Sequence, residues 1–249
     1  MTDGIVDFHS HILPRFDDGA DSVQESVAIL ESLHCQGVGT VCATSHYLAI
    51  NESVEEYVRR RERAYSHLCE SAQERDLPRI LLGAEIRVSY GISERDLAPL
   101  AFEETKALLF EMPFSELSHQ PVNELRKISN RGYTVVIAHI DRYKWYRSDD
   151  IDLLCELPEV IFQINVSALR SVSARRLALK LIKRGCHVIF GSDTHNTSDR
   201  PAEMFILTDE GGKSPLSRSR RETFLSAHES GTHRLLGTDG TGTGYGLVF

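Results

Sequence analysis

No stretch of this 249-residue chain is both long and apolar enough to span a bilayer. The first residues, MTDGIVDFH, lack a basic cluster and an apolar core of signal-peptide length, so no export signal is expected. The five cysteines (Cys35, Cys42, Cys69, Cys155 and Cys186) are odd in number and show no paired spacing. That disfavours a disulfide framework and leaves reduced thiols in a cytoplasmic protein as the expectation. Basic residues are outnumbered 28 to 36 by acidic ones, a net charge of −8, which argues against nucleic acid or an anionic membrane as the main partner. Internal repeats and clear domain boundaries are absent too, so residues 1–236 read as one domain. The segment DEGGKSPLSRSR (209–220) reads as a loop. The Gly- and Thr-rich end, GTDGTGTGYGLVF (237–249), has little to bury and reads as a mobile tail.

The hydrophobic share of 41% and the charged share of 26% suit a soluble globular protein. Seven short apolar, β-branched runs recur, at 4–8, 39–44, 79–85, 106–112, 133–139, 159–165 and 186–192. Helix-like segments separate most of them. Ser22 with Glu25 makes a capping box for a helix ending at Gly37, and Ser53 with Glu56 opens another. Residues 120–131, 149–156 and 173–184 fit further helices, with Gly132 and Gly185 near two of their ends. Near-continuous apolar strands alternating with helices predict an α/β fold with a parallel sheet. Seven strands suit a closed or nearly closed barrel, with a doubly wound open sheet as the alternative.

Every run delivers a polar, ligand-type residue at its C-terminal end. The first is followed by His9 and His11 within VDFHSHILPRFDDGADS, which also holds Asp7, Asp17 and Asp18. The others end near His46, Glu85, Glu111, His139 and Asn165, and the last runs into Asp193 and His195. In parallel α/β folds that end of the sheet is where active sites form. Burying so many imidazoles and carboxylates unpaired is costly, and metal ions satisfy them together. His9 and His11, two apart on a strand, face the same way. The candidate ligands are His9, His11, Asp18, His46, Glu85, Glu111, His139, Asp193 and His195. One four-coordinate ion cannot use nine ligands, so a cluster of two or three divalent ions is expected. Mixed His and carboxylate donors suit manganese, iron or zinc. Spacing alone does not separate Asp17 from Asp18. His34, His67, His119, His187, His228 and His233 read as surface or packing residues.

The segments DFHSHILPRFDDGADS, TSHY, GAEI, LFEM, VIAHIDRY, QINVSAL and GSDTHNTSDRP resemble the PHP-domain protein tyrosine phosphatases of bacterial capsule and exopolysaccharide clusters, from about residue 3 to 208. The resemblance implies a distorted seven-stranded (β/α) barrel of PHP type and a site of three ions, usually manganese. It also implies phosphotyrosine as substrate, notably in the tail of an autophosphorylating kinase that governs polysaccharide export. Matched motif by motif, it selects Asp18 from DDG, makes Glu85 a bridging carboxylate, and gives Arg142 and Arg200 the substrate phosphate. The departure lies at the end, where ESGTHRLLG replaces the Asn-Pro often found near the family's last helix, so 209–249 fall outside the resemblance.

The expected chemistry is in-line attack of water on phosphorus without a phospho-enzyme. If a general acid is used, Asp199 and His195 are the candidates. The alternatives are a phosphoesterase for histidinol phosphate or a nucleotide, and a phosphotyrosine-binding metalloprotein without turnover. CESAQER (69–75) fits the C-x5-R pattern of cysteine phosphatases, but Glu70 and Glu74 on a predicted helix would repel phosphate. Arg59, Arg60, Arg61 and Arg63 offer a dock for an acidic kinase segment, but glutamates among them favour a solvated helix face.

Overall fold

Each apolar run becomes a strand buried on both faces, as continuous rather than alternating hydrophobicity requires. A computed structural model of the chain describes residues 4–73 and 75–236, so the expected mobile tail at 237–249 lies outside the described residues. The strands are β1 (Ile5–Ser10), β2 (Val38–Ala43), β3 (His46–Tyr47), β4 (Arg79–Leu82), β5 (Glu85–Arg87), β6 (Ala107–Glu111), β7 (Thr134–Ile137), β8 (Val160–Asn165) and β9 (His187–Gly191). All pair in parallel, in two sheets ordered β1-β2-β4 and β3-β5-β6-β7-β8-β9.

The two sheets part where two of the runs break, at Thr44 and Ser45 and at Gly83 and Ala84. Backbone bonds still cross the breaks: Gly83 N–H donates to Ala43 O and Glu85 N–H to Thr44 O, both at 3.0 Å. On the far side β1 meets the chain leaving β9, where Asp193 N–H donates to His9 O (2.7 Å) and His11 N–H to Thr194 O (2.9 Å).

The helices are α1 (Val23–Cys35), α2 (Val54–Ala72), α3 (His119–Asn130), α4 (Ser148–Cys155), α5 (Val172–Lys183), α6 (Phe205–Thr208) and α7 (Arg218–Leu236). Among the described residues no helix is long and apolar enough to cross a membrane. Both halves of the capping box form at α2. At α1 only one does: Ser22 Oγ accepts from Glu25 N–H, while the Glu25 carboxylate accepts from Asp21 and Thr197 instead. Glu25 thereby ties α1 to the loop that follows His195. Gly37, at φ +81°, ends the turn after α1 as a left-handed residue.

α2 satisfies the carbonyls freed by the strand breaks. Tyr57 Oη donates to Ser45 O (2.6 Å) and Arg61 Nη1 to Gly83 O (3.1 Å). The basic run is therefore not wholly a solvated face: Arg61 is buried, and the Arg60 guanidinium lies 4.1 Å from the Phe16 ring centroid.

The loop expected at 209–220 ends early, because α7 begins at Arg218. The buried face of α7 is Phe224, His228, Gly231 and Leu235, a helical spacing whose two central members are not apolar, which hides the helix from a hydrophobic reading. A Cβ on Gly231 would lie 2.6 Å from Ile189 Cγ2, so α7 rests directly on β9. The cysteines are all free thiols, and Cys155 and Cys186, distant in sequence, bring their sulfurs to 3.3 Å. Cys69 is exposed on α2, and Arg75 pairs with Glu31 at 2.5 Å, so helix amides are spent internally and no phosphate cradle forms there. Cys69→Ser is expected to leave turnover within twofold of the unmodified protein, roughly as for a surface substitution; a collapse in an aryl phosphate assay would reinstate thiol chemistry.

Candidate metal centre

The nine candidate ligands converge at the C-terminal ends of the strands. His9 on β1 and His11 just past its end, both at 0% exposure, place their Nε2 atoms 3.2 Å apart. Three overlapping sets gather donor atoms within 4.8 Å of one another: His11, Asp18, His46 and His195; His9, His11 and Asp193; His46, Glu85 and Glu111. His139 joins through Nε2, 2.8 Å from Glu85 Oε1 and 3.7 Å from Glu111 Oε1. Glu85 is central. Its Oε2 lies 3.3, 3.4 and 3.0 Å from nitrogens of His9, His11 and His46, yet none of these is aligned as a hydrogen bond.

That oxygen, His139 Nδ1 and His195 Nε2 are buried without a hydrogen-bond partner. Such groups cost about 1–3 kcal/mol each unless something else binds them. Donors of both types converging on one region fit divalent cations, which take imidazole nitrogen and carboxylate oxygen together. His195 directs Nδ1 at the carbonyl of Asp193 (3.0 Å), so that nitrogen carries the proton and Nε2 keeps its lone pair.

The backbone is strained where the site needs it. His139 (φ +29°) and Asp193 (φ +53°) are non-glycine residues at positive φ, a cost of about 1–3 kcal/mol each. Gln163 and His9 hold them there: His139 N–H donates to Gln163 Oε1 (2.6 Å), and Asp193 N–H to His9 O. Gln163 continues to Asn165, whose Nδ2 donates to Asp193 Oδ2 at 2.8 Å. Asn165 thus orients a carboxylate of the cluster from behind.

Tertiary structure separates the two aspartates of DDG. Asp17 turns inward, accepting from His11 Nδ1 (2.9 Å) and from the backbone N–H of His46 (2.8 Å). Asp18 faces His46 Nε2 at 3.3 Å and His195 Nε2 at 3.5 Å. A Cβ on Gly19 would lie 2.1 Å from the carbonyl oxygen of His11, so only glycine lets this loop fold back onto β1. Gly19→Ala is expected to cost about 1–3 kcal/mol, the range for overpacking, with lowered metal content; an unchanged thermal midpoint would refute the close packing.

Charge shapes the site as strongly as geometry. Burial alone would lower the pKa of His11, but the carboxylates of Asp17 and Glu85 outweigh it and hold the imidazole well above its ordinary value. Burial would raise Glu85, but the surrounding histidines, His9 foremost, keep it well below the usual carboxylate range. His195 goes the other way, pushed down to about 4 by burial and by the charge of His11.

Three arginines stand at the mouth. Arg200 Nη2 lies 2.9 Å from Asp193 Oδ1, and Arg142 Nη1 lies 3.3 Å from Asp193 Oδ2. Asn196 shapes the turn presenting Arg200, its Oδ1 accepting from the backbone N–H of Asp199 (2.7 Å) and Arg200 (2.9 Å). Asp199 itself is exposed and lines a recess of about 360 Å³ with Arg142 and Arg200. The third arginine, Arg87, escapes the sequence reading although it follows Glu85 by two residues on the same strand face. Gln163 was findable in the same way from Asn165. Phe114, stacked on His139 at 5.9 Å and 19°, carries no sequence signal because it lies beyond the end of β6.

A parallel α/β fold that collects imidazoles and carboxylates at its strand ends, with arginines beside them, is the architecture of a metal-dependent hydrolase. Residues 5–209 match the family described as capsular polysaccharide synthesis, CpsB/CapC, and the chain belongs to that family. Among its relatives is the tyrosine-protein phosphatase YwqE of Bacillus subtilis, 32% identical, with 84% of this chain and 85% of YwqE covered. The tyrosine-protein phosphatase CpsB of Streptococcus pneumoniae is 27% identical over 89% of this chain and 95% of its own. A crystal structure from work on those two proteins, described as unique metal-dependent tyrosine phosphatases, matches with a TM-score of 0.71 and 26% identity, over 93% of this chain and 94% of that one. The chain is accordingly an enzyme of the phosphatase class, as the resemblance in its motifs implied.

Proposed function

We propose that this chain hydrolyses phosphotyrosine on proteins at a centre of two or three divalent ions held by His9, His11, Asp18, His46, Glu85, Glu111, His139, Asp193 and His195. The convergence of these side chains, with three buried donor atoms left unpartnered, carries the reading. The relatives named as tyrosine-protein phosphatases supply the substrate class. Manganese, iron and zinc all suit a donor set of oxygen and nitrogen without thiolate, and manganese is the ion we favour because the family resemblance implies it. Counting each interrupted pair, β2 with β3 and β4 with β5, as one strand turns the two sheets into a distorted seven-stranded barrel closed between β9 and β1. Residues 1–236 form one domain in this reading. The substrate in this reading is a tyrosine autokinase tail, carried by the family resemblance, and the setting is cytoplasmic, carried by the five unpaired cysteines.

Bound divalent ions lower the pKa of water and neutralise phosphoryl oxygens, which is the help a very stable phosphate monoester needs. Arg142 and Arg200 donate to the oxygens of the phosphoryl group and orient it for in-line displacement. His195, with its proton on Nδ1, serves as a ligand rather than an acid. Asp199, exposed at the recess, is then left to relay a proton from solvent to the leaving tyrosinate, a modest demand since phenol has a pKa of about 10.

The test compares phosphate release from a phosphotyrosine peptide and from histidinol phosphate, with added manganese and after chelation. Release from the peptide alone, lost on chelation and restored by manganese, is the expected result. Preference for histidinol phosphate, or full activity after metal stripping, would overturn the assignment.

A further inference from the structure

We propose that Arg87 is a third anion-binding arm of the site, and that Phe114 is the positioning residue that holds it beside Arg142; this rests on the phosphatase reading above. Arg87 sits on β5 two residues after Glu85, so its side chain leaves the same face of the strand. Its Nη1 lies 2.5 Å from Glu111 Oε2, and its guanidinium is 5.4 Å from the centroid of the Phe114 ring. The Arg142 guanidinium approaches the same ring at 5.0 Å while pairing with Asp193. Glu111 and Asp193 belong to different donor sets of the cluster. One aromatic ring thus spans the two sets and touches a guanidinium from each.

The ring is itself fixed. It lies nearly parallel to His139, and its centroid is 5.4 Å from that of Tyr143. The Tyr143 hydroxyl in turn accepts from the backbone N–H of Met112, just past the end of β6, at 2.8 Å, which anchors the stack to the sheet. Cation–π attraction then restrains two long side chains that would otherwise lose rotamer freedom on binding an anion.

Arg87 remains about 40% exposed, and Arg142 41%, so each keeps N–H donors free beyond its carboxylate contact. A guanidinium has five donors in a planar fork suited to phosphate oxygens, and one contact with Glu111 leaves most of them. With Arg200 already on the Asp193 side, Arg87 supplies positive charge on the Glu111 side, where no other arginine is paired with the cluster among the described residues.

The experiment measures competitive inhibition by inorganic phosphate, KM and kcat for an aryl phosphate, and bound metal by elemental analysis. It compares the unmodified enzyme with Arg87→Gln, Arg87→Lys, Phe114→Leu and Phe114→Tyr. Arg87→Gln is expected to weaken phosphate inhibition and raise KM, each about tenfold, with unchanged metal content; a lost charged hydrogen bond is of that order. Arg87→Lys should recover only part of this, because an ammonium lacks the fork. Phe114→Leu should weaken phosphate binding in the same direction, and Phe114→Tyr should restore it. Unchanged phosphate inhibition in Arg87→Gln would overturn the proposal. So would loss of metal with unchanged phosphate affinity per loaded site, since Arg87 would then only support Glu111. Phosphate affinity in Phe114→Leu equal to that of the unmodified enzyme would remove the positioning role. Should Arg87→Gln fail to fold, Arg87→Lys decides by the same inhibition constant. If the unmodified enzyme does not turn over the aryl phosphate, the phosphatase reading fails, while calorimetry with inorganic phosphate on the same proteins still decides on Arg87.

Discussion

Glu85→Gln is expected to lower turnover of an aryl phosphate by roughly a thousandfold or more, beyond the 10–100-fold typical of changes one layer outside a metal's ligands. The substitution keeps the shape of the side chain and removes its charge. That charge stands 3.0–3.4 Å from nitrogens of three histidines, and the other carboxylate oxygen is 2.8 Å from a fourth. An amide offers one weaker acceptor and one donor in place of two anionic oxygens. Its N–H₂ group would point at imidazole nitrogens or at a cation, and neither arrangement is favourable. Bound metal should fall together with turnover, and far-ultraviolet circular dichroism should stay unchanged, because the strand around Glu85 is held by backbone ladders. Turnover within tenfold of the unmodified enzyme at full metal loading would remove Glu85 from the centre. His139→Ala and Glu111→Ala are expected to behave alike, since both side chains meet Glu85 or its partners.

His228→Leu is expected to lower folding stability by about 3 kcal/mol at pH 7.5, the order of two buried backbone groups losing their partners. His228 lies on α7, far from the centre in sequence and in role. Its Nδ1 accepts from Phe190 N–H on β9 (3.0 Å), and its Nε2 donates to Val6 O on β1 (2.9 Å). One neutral imidazole therefore links the two sheets. Burial pushes its pKa down from 6.5 to about 4. A cationic ring could not accept from Phe190, so the folded state resists the proton. Between pH 6.5 and 4 the unfolded chain binds it first, and stability contributed by this group is present above 6.5 and falls as the pH drops toward 4. At pH 5 that loss amounts to about 2 kcal/mol. Leucine does not titrate, so the gap between the two proteins should shrink by that amount between pH 7.5 and pH 5 in urea unfolding curves. A gap of constant size would mean that His228 does not carry this linkage.

Several of these groups were visible without coordinates. Seven apolar runs became parallel strands because a strand covered on both faces must be apolar along its whole length, and that pattern survives any tertiary detail. The candidate ligands stood out because each follows such a run, and a parallel sheet brings all those ends to one side. Helices α1 and α2 were marked by their caps, and α1, α3 and α5 by glycine stops. By contrast, α7 stayed hidden, since it packs through Gly231 and His228: one works by having no side chain, the other by its ring nitrogens. Arg61 hid for a related reason, its charge suggesting solvent while its donors fill carbonyls at a strand break.

The sequence alone therefore determined the alternation of strand and helix, the end of the sheet where the candidate ligands gather, and their donor types, since these depend on local periodicity and residue kind. Only the tertiary structure decided that Asp17 turns toward His11 while Asp18 faces His46 and His195, that Arg87 and Phe114 stand beside the cluster, and that His228 joins the two sheets. Each of those depends on contacts between segments distant along the chain, and a distance in space between such segments has no signature in spacing along a sequence.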